Sequence, residues 1–196
     1  MSLSGHDVAD SLNGINQFSF TASQGLPGLG GTTNDNPLAS RAAGKVNFTK
    51  FEGFVSRLQP LFDRFSALVS AYGQYAVTPL LVPEQCGFGG RVFGRAFDPS
   101  ELLGDHCWGA SAELRYDIPG VANPFPDLQL YGYTDRGQVF TIEPAVGTAA
   151  NQTAASAGGG VRLRWQNYVL IDLSAAKAIE GPRNDWRFFF ITSARY

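Results

Sequence analysis

The side chains best suited to a specific interaction lie in one stretch, from Pro83 to Tyr116, and in the segment that follows it. The stretch reads PEQCGFGGRVFGRAFDPSELLGDHCWGASAELRY and places Arg95 among closely spaced glycines. Glu113 and Asp135 fall on the polar faces of two later segments in which apolar and polar residues alternate. A guanidinium group can bind a carboxylate through two parallel hydrogen bonds. Arg95 could therefore pair with one of these acids; the alternative is a solvated loop charge.

Two cysteines, Cys86 and Cys107, bracket the glycine-rich part of this stretch. Flanking antiparallel strands would bring the two loop ends together, which is a natural place for a disulfide. A disulfide would imply an oxidising compartment such as the periplasm or the cell surface. Two unpaired, buried thiols are the alternative, and the spacing leaves both open.

The chain offers little for catalysis or metal binding. His6 and His106 are its two histidines, and no nucleophile can be matched with a base and an orienting group. His106 beside Cys107 would supply two metal ligands, too few for an ordinary site. The sequence therefore predicts no enzyme, no metal and no cofactor.

The overall composition bounds the remaining functions. The 196 residues suit one domain, and a net charge of -2 gives no basic surface for nucleic acid. No apolar run approaches the roughly 18 residues of a membrane-spanning helix. The start, MSLSGHDVADS, lacks the basic and apolar regions of a signal peptide, so we expect no signal sequence in this chain.

The elements that must position these residues are β-strands. Eight segments alternate apolar and polar residues without a helical period, with long connections after the first, third, fifth and seventh. Membrane barrels show this asymmetry, because their periplasmic turns are short and their outer loops long. The predicted strands cover about residues 13–24, 45–58, 65–76, 108–116, 128–140, 161–166, 168–177 and 185–196.

Charges recur on the polar faces of these strands. Burying them in the dry core of a soluble sandwich or a lipocalin-like barrel would be costly, whereas a wet lumen removes that cost. The sequence therefore predicts an all-β fold, an antiparallel transmembrane β-barrel. The charges are Glu113, Asp135, Arg162, Arg164, Asp172, Arg187 and Arg195.

Several segments, taken in order, resemble the two-partner secretion transporters (TpsB, haemolysin secretion/activation proteins), in the superfamily of outer-membrane insertase and transporter barrels. They are EQCGFGGRVFGRAFDPSELLGDH, ELRY, LYGYTDRG, the aromatic C-terminal strand, SQGL at 23–26 and SRLQPL at 56–61. The resemblance covers nearly the whole chain and the C-terminal half of the family's proteins. It implies half of a sixteen-stranded barrel, as one domain over residues 1–196 with a long extracellular loop at about 77–107. The family's POTRA domain is not expected in this chain.

The resemblance also implies roles for single residues. Family members carry an Arg-Gly-aromatic motif at the tip of an extracellular loop folded into the lumen; here alanine replaces the glycine at Ala96. The loop arginine, Arg95, would meet acids on the inner strand faces, which match Glu113 in AELRY and Asp135 in YTDRG. The residues of this expected lock are Gly94, Arg95, Phe97, Glu113, Tyr133, Asp135 and Gly137.

The last strand resembles the C-terminal signal by which insertases recognise barrels. Phe188, Phe190 and Tyr196 would carry that signal, and a lipid-facing strand with no such role is the alternative. Outer-membrane lipid and, during assembly, the barrel insertase are therefore the partners that the resemblance implies.

The resemblance implies a transport function in the outer membrane of a Gram-negative bacterium. Family members export a large unfolded partner protein, and this chain would meet such a partner only as part of a full-length transporter. The alternative is a small, closed eight-stranded barrel, structural or truncated, that translocates nothing. A homodimer that combines two sets of strands is a further arrangement that the sequence leaves open.

Overall fold

The computed structural model describes residues 2–9, 13–28, 33–34, 36–122, 125–165 and 168–194. The described chain is all-β apart from one 3-10 helix, Val82–Glu84. None of its helices has the length and apolar character needed to cross a membrane.

Within the described ranges, nine strands form one antiparallel sheet, and two short strands form a hairpin inside the long loop. Each strand of the sheet pairs with its neighbours along the chain, except that β4 pairs directly with β7 across the hairpin. The strands are β1 Ser2–Ala9, β2 Gly14–Gln24, β3 Thr49–Pro60, β4 Phe65–Ala76, β5 Cys86–Phe88, β6 Leu102–Gly104, β7 His106–Ala122, β8 Phe125–Phe140, β9 Asn151–Trp165, β10 Val169–Glu180 and β11 Trp186–Ala194.

The eight predicted strands are present as β2, β3, β4 and β7 to β11, and the sheet has one strand more. The additional strand, β1, pairs with β2 from Ser2 opposite Thr21 to Ala9 opposite Gly14. Its sequence, SLSGHDVA, has a glycine and few apolar residues, so the alternation that revealed the other strands is weak here. No strand among the described residues pairs with the outer edges of β1 and β11, so the sheet is open.

The connections differ between the two ends of the sheet. At one end lie the connections 25–48, 77–105, 141–150 and 181–185. At the other end lies the shorter connection 61–64, and there Ala122 pairs with Phe125 and Trp165 pairs with Val169. This matches the predicted asymmetry, except that the last connection at the first end is short. The long loop ends at Asp105 rather than near 107, because β7 already begins at His106.

The two faces of the sheet differ sharply in polarity. One face exposes large apolar side chains from almost every strand, because the strand period of two sends alternate residues to the same side. They include Phe18, Phe20, Phe51, Val55, Val69, Leu114, Leu130, Leu173, Phe188 and Phe190. The other face, called here the inner face, carries polar and charged residues. The long loop packs against it.

The buried core lies between that loop and the inner face of β8, β9 and β10. Phe88, Phe97 and Leu102 of the loop region pack against Tyr131, Tyr133 and small residues of these three strands, which we call the wall. The sequence of β9, NQTAASAGGGVRLRW, supplies small residues on this face: Ala154 lies in the core, and Gly158 and Gly160 leave room for the rings of Tyr133 and Tyr131. The small core residues of the wall are Ala154, Ala176 and Ala178.

Candidate functional site

The base of the long loop is fixed to the sheet by covalent and polar contacts. A disulfide joins Cys86 at the start of β5 to Cys107 in β7, with Cα atoms 6.1 Å apart. The Tyr72 hydroxyl on β4 donates a hydrogen bond to the carbonyl oxygen of Gly87. The hairpin β5–β6 therefore lies against the inner face, and the chain between its two strands projects further along that face.

Two glycines allow the loop to turn back on itself. Gly94 has φ of +74°, a left-handed conformation that favours glycine, and a Cβ there would lie 2.6 Å from the Phe88 ring. Gly137 on β8 meets the same ring, since a Cβ there would lie 2.3 Å from Phe88. Phe88 is thus held closely between the loop and the wall, which places Arg95 next to the acidic residues of β7 and β8.

Arg95 reaches polar side chains of β7 and β8. Its Nη1 lies 2.7 Å from Oε2 of Glu113, and its Nη2 lies 3.4 Å from Oδ1 of Asp135 and 3.0 Å from the Ser111 hydroxyl oxygen. The backbone N–H of Arg95 also donates to Asp135, at 3.1 Å. The guanidinium lies over the Tyr133 ring, with Cζ 3.6 Å from the centroid. All of these partners lie on the inner face.

Glu113 is the centre of a larger charge network. Besides Arg95, it accepts hydrogen bonds from Arg115 and from Arg162, each at 2.8 Å. Arg162 in turn binds Asp172 at 3.2 Å and lies over the ring of Tyr131. Because the Glu113 side chain is almost fully buried, these arginines balance a charge that water barely reaches.

Phe93 and Phe97 flank the tip of the loop, residues 94–96, and anchor it on opposite sides. Phe93 packs on Tyr72 of β4, with ring centroids 4.5 Å apart, and edge-on against Phe54 of β3. Phe97 is buried and packs against Phe88. The tip therefore spans the inner face from β3 to the core on β9 and β10.

A second group of ion pairs lies closer to the end of the sheet with long connections. Asp98 accepts hydrogen bonds from Arg183 at 2.8 Å and from Arg187 at 2.6 Å. Glu101 accepts from Arg183 at 2.7 Å and from the Asp98 backbone N–H at 2.7 Å. The hydrogen bond from Arg187, with both arginine charges, lowers the pKa of Asp98 below its ordinary value. The hydrogen bond to Glu101 raises the pKa of Arg183.

Sequence reasoning missed a third group, centred on Asp105. This carboxylate is fully buried, pairs with Arg41 at 2.7 Å, and accepts the backbone N–H groups of Leu80 and Ile142. Arg41 also donates to the carbonyl oxygen of Ile142. Three connections thus meet at one carboxylate. The only signal was an acid just before a strand, which is common in loops.

The remaining predicted residues are placed as follows. His106 stacks on Tyr75, and its Nδ1 accepts the backbone N–H of Ala76 at 3.1 Å, while Cys107 is in the disulfide. Phe188 and Phe190 are 79% and 68% exposed on the apolar face of β11. Tyr196 lies outside the described residues. The insertion signal and the absence of enzyme activity, metal and cofactor stay predictions.

Comparisons with known proteins identify the family. The model of the family described as Haemolysin secretion/activation protein ShlB/FhaC/HecB matches residues 6–163. The chain therefore belongs to this family, and the predicted relation to the two-partner secretion transporters is confirmed.

Two individual proteins are similar to the chain. The outer membrane transporter CdiB of Dickeya dadantii (strain 3937) is 26% identical over 155 residues, which are 78% of this chain and 27% of that protein. The structure of CdiB from Escherichia coli has a TM-score of 0.77 at 18% identity, over 98% of this chain and 36% of that one. That structure shares the fold. The chain thus spans about a quarter to a third of the length of these relatives.

Proposed function

We propose that the chain forms part of an outer-membrane β-barrel that exports a partner polypeptide, with the long loop folded into the barrel lumen. The polar face of the sheet would line the lumen, and the apolar face would contact lipid. In this arrangement the disulfide would form in an oxidising compartment.

The single observation that carries the proposal is the docking of Arg95. An arginine on a loop reaches the inner face and meets Glu113 and Asp135 from two adjacent strands. Such a charge network is costly in a dry core but is supported beside a wet lumen. The apolar outer face gives independent support, because it is exposed over most strands.

The barrel must be completed by strands beyond this sheet. An unpaired strand edge in lipid would leave backbone groups unsatisfied, at several kcal/mol for each group. The edges of β1 and β11 would therefore pair with further strands of a longer transporter, or with a second copy in a homodimer. The small barrel without translocation activity would instead require β1 to pair with β11.

The partners follow from this placement and from the family to which the chain belongs. Lipid contacts the apolar face, and the barrel insertase recognises the last strand through Phe188 and Phe190 during assembly. A secreted polypeptide of the haemolysin or adhesin type passes through the completed barrel.

Two measurements test the proposal on protein folded in detergent and then transferred to a planar lipid bilayer. On a semi-native gel, the unboiled protein should migrate differently from the boiled protein, as folded barrels do. Current recordings should show channels, and Arg95→Ala should increase their conductance by loosening the loop. A folded species at monomer size that passes no current with either sequence would mean that the chain closes by itself, which would contradict the transport function and favour the small closed barrel.

A further inference from the structure

We infer that the long loop has a second attachment, separate from the Arg95 lock, in which Asp98 and Glu101 bind Arg183 and Arg187. We call these four residues the outer latch. The inference rests on the proposed function in that it concerns the same loop, and it assigns to Arg183 and Arg187 a positioning role for that loop.

The geometry of the outer latch links parts of the chain that are far apart in sequence. Arg183 lies in the connection 181–185, and Arg187 is the second residue of β11. Each oxygen of Asp98 accepts one of these arginines, so the carboxylate is used on both sides. Arg183 also bridges to Glu101, which makes the arginine a tie between two loop residues.

The loop residues of the outer latch are held in position by hydrogen bonds within the loop itself. Glu101 accepts the backbone N–H of Asp98 through its side chain, and its own backbone N–H donates to the carbonyl oxygen of Asp98 at 3.0 Å. These hydrogen bonds close a tight turn over residues 98–101. The two carboxylates therefore lie on one side of a rigid turn and can meet the arginines together.

The outer latch lies beside one cavity. A cavity of about 160 Å³ lies between the loop and the wall. Arg91 and Pro99 line it from the loop, while Tyr131, Arg187 and Phe189 line it from the strands. Because the turn 98–101 holds the loop to β11 at this point, release of the outer latch would open the cavity while the Arg95 lock stays in place.

The two attachments differ in their access to water. The Asp98 side chain is 48% exposed, whereas the side chains of Glu113 and Asp135 are 3% and 0% exposed. Salt screens exposed charges strongly and buried pairs much less. The outer latch is therefore the part of the loop attachment that salt releases first.

The experiment measures amide hydrogen exchange of the folded chain in detergent, at neutral pH, in low salt and in about 1 M NaCl, where the screening length falls to about 3 Å. In low salt, Asp98→Asn and Arg183→Gln should each lower the protection of residues 89–101 by about two- to fivefold, the range of exposed charge pairs. High salt should lower the wild-type protection by more than that of either variant, because Asp98→Asn keeps the Arg183–Glu101 pair and Arg183→Gln keeps the Arg187–Asp98 pair.

The matched control is Arg136→Gln. Arg136 and Glu180 form an exposed pair at 3.1 Å between neighbouring parts of the sheet, away from the loop. This variant should leave the protection of residues 89–101 unchanged. A semi-native gel confirms that each variant is folded before exchange is measured.

Two results would overturn the inference. One is protection of residues 89–101 that does not change in Asp98→Asn or Arg183→Gln. The other is an equal loss of protection in the strands, because the substitution would then weaken the whole sheet. Exchange reports on loop docking and not on export, so a failure of conductance with the expected exchange pattern would contradict the proposed function alone.

Discussion

The inner face of the sheet has two halves that differ in charge. On β2, β3 and β4 the register brings Ser19, Phe54 and Tyr72 into one row and Thr21, Glu52 and Gln74 into the next. On β7 to β10 the inner face carries a larger cluster of ionised residues. They include Glu113, Arg115, Asp135, Arg162 and Asp172.

The loop docks differently on each half. On β7 and β8 it offers Arg95 to two acids. On β3 and β4, where Lys50 and Glu52 form an ion pair, it offers Phe93 to two aromatic rings. The comparison shows that the loop forms complementary contacts with both halves of the inner face. Charge fixes its position on one side, and ring packing fixes it on the other.

The largest expected effect comes from breaking the charged side. Glu113→Ala removes a buried carboxylate that three arginines share, and breaking a buried ion pair by removing one partner costs about 3–5 kcal/mol. We expect a marked loss of heat resistance of the folded band on a semi-native gel. Glu113→Gln should cost less, because the amide keeps hydrogen bonding capacity.

A double-mutant cycle sharpens this result. Arg95 and Glu113 are in contact, so their substitutions should be non-additive by about 0.5–3 kcal/mol. Arg136, on the exposed face and outside the network, should be additive with Glu113. Strict additivity of Arg95→Ala and Glu113→Ala would mean that the lock does not form in the folded protein.

Removal of the disulfide tests how much the covalent link at the base of the loop stabilises the folded protein. Replacing Cys86 and Cys107 together with serine should destabilise the folded protein by about 2–4 kcal/mol, because the unfolded chain regains freedom. Thermal unfolding with and without a reductant measures the effect. Wild-type protein whose stability does not change when the disulfide is fully reduced would contradict this expectation.

Substitution on the side of β3 and β4 should destabilise the folded protein less. Phe93→Ala removes ring contacts with Tyr72 and Phe54, and such aromatic pairs contribute about 0.5–1.5 kcal/mol beyond the area they bury. Phe93→Leu keeps the apolar volume and serves as the control. A loss as large as that of Glu113→Ala would show that packing, rather than charge, dominates the attachment.

Much of this architecture was predictable from sequence. Period-two alternation located the strands and sent Glu113 and Asp135 to the polar face, and the family resemblance pointed to Arg95. Two features were not predictable. Phe93 contacts strands that precede it by many residues, and Arg41 of one connection meets Asp105 of another. Such contacts depend on how loops fold over the sheet, which local alternation does not encode.

The smallest expected effect is the response of the outer latch to acid. The pKa of Asp98 is lowered in the folded state, so its stabilising contribution is complete above the ordinary value of 3.8 and is lost as the pH falls through the lowered pKa. Arg183 and Arg187 face Asp98, and Glu101 and Asp185 are the nearby acids. Exchange protection of residues 89–101, corrected for intrinsic rates, should therefore fall at strongly acidic pH. Asp98→Asn should show a smaller fall, and an equal fall in both proteins would contradict the assignment to Asp98.

The most direct test of the central claim is to map what the loop tip touches in the folded protein. A photo-crosslinking phenylalanine analogue at position 93, in protein folded in detergent, should form adducts with the β3 and β4 peptides that contain Phe54 and Tyr72. That result would show that the loop lies against the inner face. Adducts confined to detergent, with none on the strands, would mean that the loop projects away from the sheet and would contradict the account.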